Sequence, residues 1–304
     1  MQRQRGLFTD WPQTRDATGR RLRYEHYARH FAIPEPEGGV ARESLRMEWQ
    51  GRSLPARRYR SPNADPGTVI LYFHGGGFVV GSTQTHDSVT AHLAHHARAV
   101  VISVDYRLAP EYTAPCQLED ALLSLQWARQ QYGDRARVIV AGESAGGTLA
   151  ALLCQHAAAS ATLRIDGQLL ICPGPFWASA FDGPEYGAGN TDPYLNGGDL
   201  AYYAATYAGS ATASAFLPDE AGLAPAPPTL IYMAEHDPLS HQGRRYAEAI
   251  RRHQARVGVT MGAGMIHSFI RVCAVDPVAA AEFAQLCRDL NALLPATLET
   301  SDTP

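Results

Sequence analysis

From Thr68 onward the chain alternates apolar runs of strand length with longer helical stretches, and that alternation restricts it to a parallel sheet with helices on both faces. The runs fall near 68–73, 99–104, 137–141, 167–171, 229–234 and 257–262, and helices are expected near 85–97, 116–131, 145–158, 240–255 and 277–292. Asp276-Pro277 marks the last helix start, joining an N-cap residue to a proline at the first helical position. Upstream, Leu45 to Trp49 and Leu54 to Tyr59 alternate with period two around Gly51 and predict the edge strands of a hairpin.

Two regions stand outside this pattern. Before about residue 44 the chain is polar and arginine-rich, with one helix expected over Leu22 to Phe31 and ended by Ile33-Pro34-Glu35-Pro36. The interval between Cys172 and Pro228 is too long for a plain connection and holds a helical stretch near 198–207. The expected organisation is an N-terminal cap segment over 1–44, a catalytic domain over 45–295 with a cap insertion at 173–228, and a polar tail at 296–304.

Composition narrows the chemistry. A formal charge of −4 offers no footprint for nucleic acid or an anionic membrane surface, and the arginines between Arg244 and Arg256 read as a solvated helix face. No apolar run approaches the roughly 18 residues that span a bilayer, and Met1 to Arg5 precede no signal-peptide core, so a cytoplasmic protein is expected. Five scattered cysteines without a C-x-x-C pair suggest reduced, mostly buried thiols, with no zinc site. All 26 basic residues are arginine. Lysine-dependent chemistry (Schiff bases, pyridoxal phosphate attachment, Ser-Lys dyads, P-loops) is therefore excluded, and a nucleophilic serine here needs a histidine base.

Such a serine is available. Gly142-Glu143-Ser144-Ala145-Gly146 lies between the run ending at Ala141 and a helical stretch, the setting of a nucleophile elbow that lifts a serine hydroxyl above the sheet edge. A chance glycine-serine turn is the competing reading. His74-Gly75-Gly76-Gly77-Phe78 follows another strand, and its unshielded glycine amides (Gly75, Gly76, Gly77), with the N–H of Ala145, suit an oxyanion hole whose donors stand about 2.7–3.1 Å from the developing charge. Of the 12 histidines, His267 follows the last strand in a short loop, whereas others lie within expected helices or precede the sheet. Asp237 ends the 229–234 run and precedes Pro238; it fits the acid that orients His267, although Asp-Pro is also a helix N-cap, and Glu235 competes for the role.

Taken together, the glycine loop, Asp105-Tyr106-Arg107-Leu108-Ala109-Pro110-Glu111, the elbow, Asp237-Pro238-Leu239 and His267-Ser268-Phe269 resemble the bacterial hormone-sensitive-lipase-like esterases of the α/β-hydrolase superfamily. The resemblance runs from about Thr68 to Leu290, with Glu143 where many relatives carry Asp. It implies an α/β fold with an eight-stranded, mostly parallel sheet, the second strand antiparallel, and a cap built from the N-terminal helices and an insertion after the sixth strand. It implies carboxylic ester hydrolysis on short to medium acyl chains through Ser144, His267 and Asp237, without metal or organic cofactor, and a homodimer paired through the last strand or the adjoining helices. Phe78, Trp177, Tyr194, Tyr202 and Phe269 are the expected pocket walls, with cap or core packing as the competing reading. An amidase of arylformamidase type with the same triad, and a non-catalytic ligand receptor on the same fold, are the other readings.

Overall fold

A computed structural model describes residues 16–160, 163–174, 195–210, 217, 220–253 and 255–293. Eight strands form one sheet in the order β1-β2-β4-β3-β5-β6-β7-β8. They are β1 (Ala41–Trp49), β2 (Arg52–Arg60), β3 (Asp65–Phe73), β4 (Ala99–Val104), β5 (Arg137–Glu143), β6 (Gly167–Ile171), β7 (Thr229–Ala234) and β8 (Val257–Gly262). Only the pairings of β2, with β1 and with β4, are antiparallel. The expected hairpin therefore forms, but one of its strands is internal: β2 uses its second edge to pair with β4, and β1 alone is the edge.

The alternation of side chains along each strand divides the core into two layers. Val69, Leu71, Phe73, Val138 and Val140 face one layer, against the helices α3 (Cys116–Tyr132), α4 (Ala145–Ala158) and α6 (Ser240–Arg252). Ile70, Tyr72, Ile139 and Ala141 face the other, against α2 (Asp87–Ala97) and α8 (Pro277–Leu293). Strands β4, β5, β6 and β7 are buried over almost their whole length, which is why they read as unbroken apolar runs. Each large apolar side chain so buried contributes about 1.5–3 kcal/mol.

The remaining helices lie outside this sandwich in sequence. Helix α1 (Ala17–His30) begins five residues before the expected Leu22 because Asp16 caps it, accepting from the amide of Gly19 at 2.9 Å. Helix α5 (Gly197–Ala208) occupies the β6–β7 insertion, started by Asn196, whose side chain accepts from the amide of Asp199 at 3.0 Å. A short turn, α7 (Phe269–Val272), follows the loop after β8. No helix among the described residues is long and apolar enough to cross a membrane, and the five cysteines form no disulfide. The expected tail at 296–304 lies outside the described residues.

Candidate active site

The site is assembled at the carboxyl ends of β5, β7 and β8. Ser144 stands between β5 and α4 with φ 55° and ψ −121°, a left-handed backbone that an L-residue adopts only when its surroundings enforce it. Enforcement comes from both sides. Its amide donates to the carbonyl of Ile171 at 2.9 Å, its carbonyl accepts from Thr148 at 3.0 Å, and a Cβ on Gly146 would lie 1.9 Å from the carbonyl oxygen of Phe73. The helix can therefore approach β3 this closely only with glycine at that position.

His267 reaches Ser144 from the loop after β8. Its Nε2 lies 2.8 Å from Ser144 Oγ and its Nδ1 lies 2.9 Å from Asp237 Oδ2. An ionised Asp237 accepts only, so Nδ1 carries the proton and Nε2 offers its lone pair to the serine hydroxyl. Asp237 Oδ1 also accepts from the amide of Leu239 at 2.8 Å, which fixes the carboxylate plane. Both candidate residues are buried, at 5 % exposure for His267 and 6 % for Asp237. Glu235, the rival acid, is exposed and accepts instead from the amide of Gly264 at 2.7 Å, where it braces the loop after β8. The N-cap alternative for Asp237 does not describe α6, whose cap position is Leu239.

The glycine loop lies opposite. His74 is buried beneath it, hydrogen-bonded through Nδ1 to the carbonyl of Gly75 at 2.8 Å and stacked on Tyr106 at 4.3 Å. Tyr106 donates its hydroxyl to the carbonyl of His74 at 2.6 Å. Gly76, with φ 118°, turns the chain where a Cβ would lie 2.2 Å from the carbonyl oxygen of Val80. Gly76, Gly77 and Ala145 border a cavity of about 310 Å³ together with Ser144 and His267. Gly75, grouped with them from the sequence, does not border it; it packs on Glu143, whose Oε2 would lie 1.8 Å from a Cβ placed there.

The cavity walls differ from the expected set. Phe78 lines it, stacked on Tyr207 with ring centroids 3.9 Å apart. Phe269 does not: it is fully buried and stacked at 4.2 Å on Tyr232, because its turn faces the sheet. Tyr202 does not line it either, its ring lying 4.1 Å from the Arg20 guanidinium, and Tyr203 takes the wall position instead. Trp177 and Tyr194 lie outside the described residues. The wall that went unread in the sequence comes from α1 (Arg20, Arg23, Tyr24, Tyr27) and α5 (Leu200, Tyr203, Ala204, Tyr207). Both sets follow the same i, i+3, i+4, i+7 spacing, the signal of one helical face. Arg20 joins the two helices by an ion pair to Asp199 at 2.8 Å.

Glu143, beside the nucleophile, also borders the cavity and is 3 % exposed. Burial works against its charge, and the Arg271 cation on the far side of His86 works in its favour. His86 itself stays neutral, because burial and the adjacent Arg271 cation push its pKa down to about 3. Among the described residues, one trio of metal-type donors falls within 4.8 Å of one another: Cys172, Asp237 and His267. Two of the three are already hydrogen-bonded to each other.

Comparison with known proteins agrees with this architecture. A family described as having the α/β hydrolase fold matches residues 70–271. Esterase LipI of Mycobacterium tuberculosis is 37 % identical over 72 % of this chain and 70 % of its own length, and an ethyl acetate hydrolase of Pseudomonas putida is 34 % identical over 73 % of each. The solved structure of a hyperthermophilic esterase from the archaeon Pyrobaculum calidifontis is 31 % identical, with a TM-score of 0.76, covering 92 % of this chain and 94 % of that one. The chain belongs to the α/β-hydrolase fold family, the superfamily of the hormone-sensitive-lipase-like esterases that its motifs resemble.

Proposed function

We propose that the protein is a serine carboxylesterase that hydrolyses small-molecule esters with short to medium acyl chains through an acyl-Ser144 intermediate. One observation carries this reading: the run of 2.8 and 2.9 Å contacts from Ser144 through His267 to Asp237 opens on the cavity bordered by the glycine loop. The activities of the relatives, esterase and ethyl acetate hydrolysis, support the same reaction class.

In the proposed mechanism Ser144 Oγ bonds to the ester carbonyl carbon while its proton passes to His267 Nε2. The carbonyl oxygen becomes an oxyanion facing the amides of Gly76, Gly77 and Ala145, each such donor being worth roughly 3–4 kcal/mol of barrier. His267 then returns the proton to the departing alkoxide as the carbon–oxygen bond breaks. Water, deprotonated by the same nitrogen, attacks the acyl carbon; the acyl–Oγ bond breaks, His267 gives the proton to Ser144 Oγ, and the acid leaves. Asp237 holds the tautomer throughout and stabilises the imidazolium.

The cavity, at about 310 Å³, sits at the lower end of ligand-sized pockets and favours small acyl and alcohol groups. A chain-length series of p-nitrophenyl esters tests this, with matched amides and the Ser144→Ala variant as controls. The expected result is a maximum at short to medium acyl chains and slower amide turnover; activity that rises steadily with chain length contradicts it. A cytoplasmic site of action belongs to the same proposal and is read by cell fractionation. So does pairing through β8, where Val259 and Met261 are exposed, which sedimentation velocity reads.

A further inference from the structure

Arg271 is a buried cation four residues beyond His267, on the turn α7, and is 3 % exposed. Its Nη1 donates to the carbonyl of Thr85 at 3.0 Å, and its Nη2 donates to Tyr24 Oη and to His86 Nε2, each at 2.8 Å. The guanidinium lies 4.6 Å from the centre of the Tyr24 ring. It thereby ties the cap-side helix α1 to the segment that carries His267.

It also answers a second charge. His86 Nε2 accepts from Arg271, so it carries no proton for Glu143 Oε2, which lies 3.5 Å away and has no hydrogen-bond partner among the described residues. A carboxylate buried beside the nucleophile and under the glycine loop is costly unless a counter-charge is near. Arg271 supplies one, across a single imidazole.

We propose that Arg271 is a positioning residue for the ester hydrolysis described above: its cation compensates the buried Glu143 carboxylate next to Ser144, and its bond to Tyr24 holds α1 over the cavity. The proposal rests on the esterase reading for its kinetic consequence, but not for the docking of α1. The charges and ionisable groups that meet here are Glu143, His86, His74, Tyr24, Tyr27, Tyr72 and Tyr106, with Asp237 and His267 beyond Glu143.

The test is a cycle of Arg271→Met and Glu143→Gln, singly and together, read as kcat per folded enzyme on p-nitrophenyl acetate. Arg271→Met should lower kcat by about two orders of magnitude in the parent, because it strands a buried charge, and by less than about fivefold in the Glu143→Gln background. Arg271→Lys, which keeps the charge, should recover most of the loss. Tyr24→Phe, which keeps the charge and the ring under the guanidinium but removes the hydrogen bond to α1, should change KM more than kcat. Equal losses from Arg271→Met in both backgrounds, or no loss in either, overturn the charge compensation. If Arg271→Met does not fold, the double variant decides: folding restored by Glu143→Gln supports the proposal, and failure of the double variant while Glu143→Gln alone folds overturns it. Hydrogen exchange of α1 supplies a readout independent of activity, with Ala17 to His30 expected to exchange faster in Arg271→Met and Tyr24→Phe; unchanged exchange in both overturns the docking role. A wild-type protein without activity on any ester would instead count against the esterase reading.

Discussion

Replacing Asp237 by Asn changes one atom and removes one charge, and the site geometry determines the consequence. Oδ1 accepts from the amide of Leu239 at 2.8 Å while Oδ2 faces His267 Nδ1 at 2.9 Å. In the variant the amide oxygen stays with Leu239, since the reverse orientation would oppose two N–H donors. The NH₂ group then donates to Nδ1, the imidazole proton moves to Nε2, and the lone pair that faced Ser144 Oγ is lost. The active orientation remains available only by stranding the Leu239 amide, at about 1–3 kcal/mol, which limits it to roughly one molecule in 5 to one in 150. Those molecules also exchange a charge-assisted hydrogen bond to the imidazolium for a neutral one, a further loss of about tenfold. The expected fall in kcat for p-nitrophenyl acetate lies between about 50-fold and about 1,500-fold, with little change in KM or melting temperature. A folded Asp237→Asn enzyme within about threefold of wild type would rule out this role for the carboxylate.

Two further outcomes rest on the same geometry. Tyr203 closes the cavity beside Gly77, so Tyr203→Ala should move the preferred acyl chain to greater length, read as the shift in the kcat/KM maximum over the p-nitrophenyl series; an unmoved maximum counts against it. His86 has its pKa depressed to about 3 in the folded protein, so the unfolded state takes up more protons once the pH drops below its ordinary value of about 6.5. Its stabilising contribution is complete above that value and is lost as the pH falls toward about 3, by an amount on the order of 5 kcal/mol; melting temperature against pH should therefore decline across this window, and His86→Gln should flatten the decline.

How far the site can be read from the chain depends on how local each constraint is. The elbow around Ser144 is legible because its requirements sit within five residues, and strand order brings the loops after β7 and β8 to the same sheet edge, so Asp237 and His267 follow from chain order. Chain order already favoured Asp237 over its competitor Glu235, and the fold separates the two: only two residues apart, Asp237 is buried and Glu235 is exposed. Pocket walls are less legible. Tyr202 and Tyr203 are adjacent, and one residue along a helix turns the side chain by about 100°, so without the start of α5 at Asn196 the phase is unset. Phe269 follows the histidine closely in the chain, yet its turn directs it against Tyr232. An N-terminal cap was expected, but the contacts that dock α1 were hidden because its partners, Asp199 and Arg271, lie 179 and 247 residues away from Arg20 and Tyr24, respectively.

Everything proposed for the site depends on Ser144 as the acceptor of the acyl group. Wild-type enzyme quenched in acid during turnover of a slowly deacylating p-nitrophenyl ester, then digested and weighed, should carry the acyl mass on the peptide containing Ser144. Ser144→Ala should carry none, while losing at least about 10³-fold in kcat. An acyl group found on a different residue, or near-wild-type turnover by Ser144→Ala, would contradict the assignment.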